Sequence, residues 1–327
     1  MQNKIHGSNI LVTGGAGFIG SYLVEELLSH QPRKVIILDS LIRGSMDNMQ
    51  SFLSNSVVEF IQGDIRDIAL LEHCVSRVDY VFHMAALRIN ACAADPSEGF
   101  EVMLRSTLEV ADLCVRYKIN KVIYSSSASV YGLAQHFPTP ESDNPYDNQT
   151  FYGAAKLWGE QLFRSYKFMY GLDYLALRYF NVYGPRMDTD GKYTEVMIRW
   201  LDCIRDGHAP LIYGNGGTSM DFVYVKDVAK ANVSALLSDK TDESYNVGNG
   251  VETTLKELLK ILLEVNKSDL QPQFREENVI NPVSRRLADI SKINRDLKYE
   301  PQVSLEEGLH NLSVWYYKKK ESLSPNL

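Results

Sequence analysis

Residues 9–20 read Asn-Ile-Leu-Val-Thr-Gly-Gly-Ala-Gly-Phe-Ile-Gly. The apolar run 9–13 has the length of a buried strand, and from Phe18 to His30 the apolar residues Ile19, Leu23, Leu27 and Leu28 recur with helical spacing. Between them, Gly15-Ala-Gly17-Phe-Ile-Gly20 fits G-x-G-x-x-G on a strand-to-helix turn. Glycine there permits a tight turn and close backbone approach to a pyrophosphate, which sits against the positive end of the helix. Gly14, Gly17, Phe18, Ile19 and Gly20 are therefore candidate cofactor contacts. The plainer alternative is a glycine turn that only joins strand to helix.

Working outward, Lys34-Val-Ile-Ile-Leu38 reads as a second buried strand followed by Asp39, about 20 residues past the glycines. A carboxylate at that place binds ribose hydroxyls and repels a 2′-phosphate, which favours NAD over NADP. Arg43 argues the other way, since an arginine here could hold that phosphate. Further apolar runs at 57–61, 78–82, 121–124 and 174–178 alternate with helical stretches, including a long one from Ser97 to Tyr117. The alternation indicates an α/β fold, a doubly wound parallel sheet covered on both faces. Asp64-Ile65, just past the third strand, could reach the adenine, or Asp64 could cap a helix.

Past Asn181 the segments shorten and Gly and Pro cluster, so a smaller C-terminal region covering the sheet's ligand-binding edge is expected. The expected division is 1–180 plus 221–245 for the cofactor-binding part and 181–220 plus 246–327 for the second. In it, Asp221 to Val225 and the following helix return to the main sheet.

Tyr152 and Lys156 stand four apart in Thr-Phe-Tyr-Gly-Ala-Ala-Lys, on one face of a predicted helix. A fixed ammonium there would favour the phenolate and pull the tyrosine below its usual value of about 10. A phenolate beside a dinucleotide is a general base for a sugar or alcohol hydroxyl.

Composition sets bounds. The chain has 327 residues, 45% hydrophobic and 23% charged, with a net charge of −7, which gives no electrostatic footprint for nucleic acid. Cys74, Cys92, Cys114 and Cys203 lack metal or disulfide spacing and suit a cytoplasmic protein; no metal site is expected. No apolar run approaches the roughly 20 residues of a membrane span, and the N-terminus shows no signal-peptide pattern.

Seven stretches occur together in order: Thr13–Gly20, Gly63-Asp64, His83-Met-Ala-Ala86, Ser125–Gly132, Tyr152–Lys156, Arg178–Pro185 and Asp221–Asp227. In this the chain resembles the extended short-chain dehydrogenase/reductases, in their NAD-dependent nucleotide-sugar epimerase/dehydratase branch, from Asn9 to Gly308. The resemblance implies a Rossmann-type domain with permanently held NAD, a smaller region gripping a nucleoside diphosphate sugar, and a homodimer joined through the helices near 97–117 and 150–170. It implies Tyr152 as the base for the sugar C4 hydroxyl, Lys156 on the nicotinamide ribose, and Ser127 at the C4 oxygen, with Ala85 among the cofactor contacts.

Of the neighbouring serines Ser125 and Ser126, Ser126 faces the same cleft as a substrate contact, although strand alternation makes one of the two structural. Asn181, Arg88 and Arg286 are further substrate candidates; a turn residue and a solvated arginine are the plainer readings of the first two. His83 reads as a structural histidine and Cys92 as small core filler.

Sugar 4,6-dehydratases of this type carry an Asp-Glu pair after the Ser/Thr, one as acid for the departing C6 hydroxyl and one as base at C5. Here the pair is Ala128-Ser129, and Glu141 and Asp143 match a structural loop acid. That favours C4 epimerisation through a transient 4-keto sugar. The alternatives are an oxidoreductase or 4,6-dehydratase releasing a keto sugar, and a non-catalytic dinucleotide sensor. Two positions depart from the pattern: Met220 replaces a diphosphate-clamping arginine, and Met103 stands where an asparagine is usual. Arg285 or Arg286, in a stretch resembling the family's late arginine segment, could still supply phosphate charge, and Arg186, Lys192 or Arg199 is expected to compensate for the first.

Overall fold

The computed structural model describes residues 4–189, 195–276 and 283–323. Its strands in chain order are β1 (Asn9–Thr13), β2 (Lys34–Asp39), β3 (Val58–Gln62), β4 (Tyr80–His83), β5 (Lys121–Ser127) and β6 (Tyr174–Tyr179), followed by β7 (Asn181–Tyr183), β8 (Leu211–Tyr213), β9 (Ser219–Tyr224), β10 (Glu243–Val247), β11 (Glu252–Thr254) and β12 (Gln273–Arg275). Seven form one sheet in the order β10-β6-β5-β4-β1-β2-β3, every pair parallel. The order reverses at β1, which lies between β2 and β4, and such a switch point opens a crevice at the strands' C-terminal ends.

Both sheet faces are buried, which is why β1 and β2 are apolar without alternation. Ile10, Val12, Val35 and Ile37 pack on one face with Leu23 and Leu27 of the helix Phe18–Ser29 and Val228 of Val225–Leu237. Leu11, Ile36 and Leu38 pack on the other with Leu71, Val110 and Phe163. The helical stretch expected from 97 to 117 is continuous from Pro96 to Arg116, with a π-helical turn at Glu101–Arg105.

The chain leaves this sheet at β7, which pairs in parallel with β9, and β9 pairs antiparallel with β11. The expectation that Asp221–Val225 rejoins the main sheet is therefore corrected. Phe222 and Tyr224 sink into a separate core with Tyr183, Trp200, Leu262 and Leu312, and this core fixes β9 in the small sheet. The helix Val225–Leu237 and then β10 return, β10 docking beside β6, and the helix Ser291–Leu297, expected in the second region, also packs Ile293 and Leu297 into the main-sheet core. Among the described residues no helix is long and apolar enough to cross a membrane, no metal-ligand cluster forms, and all four cysteines are free thiols.

Candidate active site

A cleft of about 840 Å³ runs along the C-terminal ends of β1, β2, β4 and β5, room for a dinucleotide with a second ligand beside it. At its floor Gly14 has φ +72°, and a Cβ there would come within 2.8 Å of the Ala85 backbone nitrogen. A Cβ on Gly20 would lie 2.2 Å from the Gly14 carbonyl oxygen. Gly17 caps the helix Phe18–Ser29 with no side-chain bond, so the first-turn N–H groups face the cleft for an outside acceptor. Phe18, Ile19 and Ala85 line the same wall, and the Ala85 N–H donates to Thr13 Oγ1 at 3.2 Å.

Asp39 ends β2 at the cleft, its carboxylate accepting from Ala16 N at 3.0 Å and Leu41 N at 2.9 Å. Burial pushes this carboxyl above its ordinary value, and the backbone donors Leu41, Ala16 and Gly17 partly offset that. A cradle closed to any Cβ, an open helix N-terminus and a ribose-height carboxylate together fit a dinucleotide. Asp64 and Ile65 also line the cleft. Asp64 is held by Arg66 at 2.9 and 2.6 Å, which lowers its carboxyl, while the helix N-cap is Asp67.

Arg43 lines the cleft and pairs with Asp188. Two residues earlier Arg186, at φ +70°, lays its guanidinium over the Tyr22 ring at 4.3 Å and donates to Ser21 Oγ at 3.1 Å and Glu25 at 2.5 Å. The segment after Gly184-Pro185 is thus tied to both flanks of the cleft.

Further in, the helix Phe151–Tyr170 begins at Thr150, whose hydroxyl accepts from Gly153 N at 3.1 Å. This cap sets Tyr152 and Lys156 against the end of β5. Lys156 Nζ donates to the Ser125 carbonyl at 2.6 Å and to Ser125 Oγ at 3.3 Å, and lies 5.8 Å from the centre of the Tyr152 ring. Ser127 hydrogen-bonds the Tyr152 phenol, and its Oγ accepts from Ser129 N at 3.1 Å.

The expected depression of the tyrosine is not found. Burial pushes Tyr152 up to about 12, and the opposing pulls come from Ser127, Arg286 and Arg88. Lys156 itself is held down at about 7 by burial, with Cys92 and Glu160 pulling it back up. Desolvation of both groups outweighs their mutual charge at this separation.

Asn181 lines the cleft with its Nδ2 donating to Asp221 O at 3.2 Å; Arg88, Met220 and Arg286 line it too. Arg88 lies 3.8 Å from Glu195. Burial holds Arg286 down at about 10. Ser126 lines the cleft as expected, and its hydroxyl donates to Glu160, which leaves it only an acceptor to offer a ligand.

Of the expected compensators for Met220, Arg186 is engaged by Tyr22 and Glu25, Arg199 is exposed on the helix Val196–Arg205, and Lys192 falls outside the described residues. Met103 is buried, its sulfur accepting from Leu87 N at 3.2 Å. His83 is structural: Thr107 Oγ1 gives its proton to Met103 O at 2.7 Å, so it accepts from Nε2–H at 2.9 Å, and Thr13 Oγ1 donates to Nδ1 at 3.0 Å. Sequence reading missed Glu160, although it stands four residues past Lys156 on the same helix face.

A sequence model of the NAD dependent epimerase/dehydratase family matches residues 10–248. Over 314 residues the chain is 35% identical to a putative UDP-glucose 4-epimerase of Methanocaldococcus jannaschii, covering 94% of this chain and 97% of that one. Its fold is similar to the UDP-N-acetylglucosamine 4-epimerase of Methanobrevibacter ruminantium, solved with UDP-N-acetylmuramic acid, at a TM-score of 0.91 and 36% identity, covering 96% of this chain and 99% of the other. It is also similar, at a TM-score of 0.88 and 30% identity, to the dTDP-glucose 4,6-dehydratase DesIV of Streptomyces venezuelae, solved with NAD; that match covers 97% and 99%.

Proposed function

The chain belongs to the NAD dependent epimerase/dehydratase family, and within that family we propose that it is a nucleotide-sugar 4-epimerase. NAD is its cofactor, held by Gly14, Gly17, Gly20, Phe18, Ile19, Asp39, Asp64, Ile65, Ala85 and Lys156, and when bound it supplies the hydride acceptor and donor at sugar C4. Tyr152 takes the proton from the C4 hydroxyl and returns it after the 4-keto sugar has turned over. Ser127 holds the C4 oxygen and the phenol in one hydrogen-bonded line. Lys156 is fixed by Ser125 on the cofactor side of the phenol. Arg286 and Asn181 hold the nucleotide-sugar end, Arg286 taking over charge that Met220 does not carry, and Arg88 serves the phosphates.

One observation carries the choice of epimerisation. Beside Ser127 stand buried Ala128 and Ser129, whose backbone N–H goes to Ser127 and whose carbonyl accepts from Asn148 Nδ2 at 2.8 Å. Neither offers a carboxyl for elimination. Glu141 accepts from Asn246 N at 2.8 Å and Asp143 from His136 at 2.8 Å; both work in scaffold contacts outside the cleft.

The test is a panel of nucleotide sugars incubated with the NAD-loaded protein and followed by proton NMR and mass spectrometry. An epimer at unchanged mass is expected. A product lighter by one water marks a dehydratase, accumulation of NADH marks net oxidation, and an inert panel with NAD bound marks a sensor.

The proposal extends to a cytoplasmic homodimer. The helices Pro96–Phe100 and Phe151–Tyr170 carry exposed apolar side chains, Phe100 at 49%, Phe168 at 83% and Met169 at 64%, which a second copy would cover.

A further inference from the structure

Tyr152, Lys156 and Glu160 follow one another at four-residue intervals on the helix Phe151–Tyr170, and Glu160 is only 2% exposed. Its carboxylate accepts from Arg178 Nε at 2.9 Å and Nη2 at 2.7 Å, from Ser244 Oγ at 3.2 Å, and from Ser126 Oγ. Arg178 is anchored in turn, Nη1 donating at 2.9 Å to both the Tyr131 hydroxyl and the Glu141 carbonyl, while Tyr131 donates to Asn246 Oδ1 at 2.6 Å. Strand alternation gives the contact its meaning. Ser126 is the middle of three serines; Ser125 on one side receives Lys156, and Ser127 on the other meets Tyr152. A bond that fixes Ser126 to the helix carrying Tyr152 and Lys156 therefore fixes the register between both reactive groups and their strand partners.

We infer that Glu160 is a positioning residue for the C4 chemistry, acting through Ser126 to hold the β5 strand end against Tyr152 and Lys156. The inference rests on the proposed epimerase reading for its consequence in turnover, but not for its geometry. A buried ion pair placed only for scaffold reasons needs no hydroxyl from the strand between the two catalytic partners. Glu160 also faces Lys156 as the nearest acidic member of its helix face and favours its charged form.

The test uses the NAD-loaded full chain. Ser126→Ala removes the strand-to-carboxylate link and leaves the Glu160–Arg178 pair intact. It should keep its NAD and its fold, melting somewhat lower for the lost buried hydrogen bond, while kcat drops on the order of tenfold with KM nearly unchanged, as expected when reactive groups lose sub-ångström alignment. A raised KM with kcat intact would mean that Ser126 touches the sugar directly, and unchanged kinetics would make the link mere scaffold; either result overturns the inference. Glu160→Gln, if it folds with Arg178 left unpaired, should also make Lys156 lose its proton at lower pH. That titration is followed by NMR of labelled lysine in the NAD-loaded protein. No sugar is required when the same titration is made on the folded Ser126→Ala protein, where Lys156 should also move because its Ser125 partner is no longer held in place; an unmoved Lys156 there counts against the inference even if the substrate panel proves inert.

Discussion

A phenol pushed up to about 12 is a poor base at neutral pH, and in Tyr152 burial outweighs the charges of Arg286 and Arg88 and the Ser127 hydrogen bond. In the proposed reaction the proton would move through a prearranged line of oxygens with Ser127 as the link, since only a small fraction of free phenolate is available. Tyr152→Phe should leave the fold and NAD content intact and lower turnover by roughly 10²–10⁴, the usual span for loss of a proton-transfer group. Activity near that of the parent protein would remove Tyr152 from its role. The identity of this pair was legible in the sequence because two residue types at a four-residue interval survive any detail of packing. The direction of the phenol's shift was not, because desolvation depends on what surrounds the ring. Ser126 illustrates the same limit: the sequence offers three adjacent hydroxyls, and only Glu160, distant by 34 residues, decides which one commits its proton to a carboxylate.

At the scale of elements, the glycine turn was readable because each glycine answers a steric demand that no other residue meets. At Gly20 the space belongs to the Gly14 carbonyl, 2.2 Å from where a methyl would stand, and to Gly15 Cα at 2.8 Å. Both are backbone, so the turn itself must move. Gly20→Ala should cost about 1–3 kcal/mol of stability through overpacking and yield protein largely stripped of NAD, measured by absorbance of the cofactor released on denaturation. Full NAD content would show that the turn tolerates displacement.

The strands that were misread or missed have the opposite character. β10, Glu243-Ser-Tyr-Asn-Val247, looks polar, yet Asn246 satisfies the Thr139 and Asp289 carbonyls at 2.9 and 3.1 Å, and Ser244 serves Glu160. Such partners lie far away in sequence. β9 was recognisable as a strand, but which sheet would take it depended on Tyr183 and Trp200 being present to receive Phe222 and Tyr224.

For the whole molecule, stability on acidification is tied to His83, which bridges β1, β4 and the helix Ser106–Arg116. Burial, with Lys156 nearby, lowers it from 6.5 to about 3. The unfolded chain thus takes up a proton below about 6.5 that the folded one refuses until about 3. The stabilisation is complete above the upper value and is lost as pH falls through this window, up to about 5 kcal/mol. Denaturant titrations from pH 7 to 4 should show this slope, and His83→Asn should flatten it; an equal slope in both proteins would place the acid sensitivity elsewhere.

Assembly is the other property at this scale. Phe168→Glu, at a side chain 83% exposed, should convert the proposed dimer to monomer in sedimentation without altering the melting of the protomer beyond what dissociation costs. A dimer that persists would move the interface off this helix.

The crossing made by Arg186 and Asp188 has a kinetic meaning. The Arg186 contacts to Tyr22 and Glu25 and the Arg43–Asp188 pair pin this segment, and a ligand that must displace it to leave would depart slowly. Such a gate governs residence time more than equilibrium tightness. A redox carrier held there would be expected to stay in place between turnovers, a slow exchange that release of labelled NAD would measure.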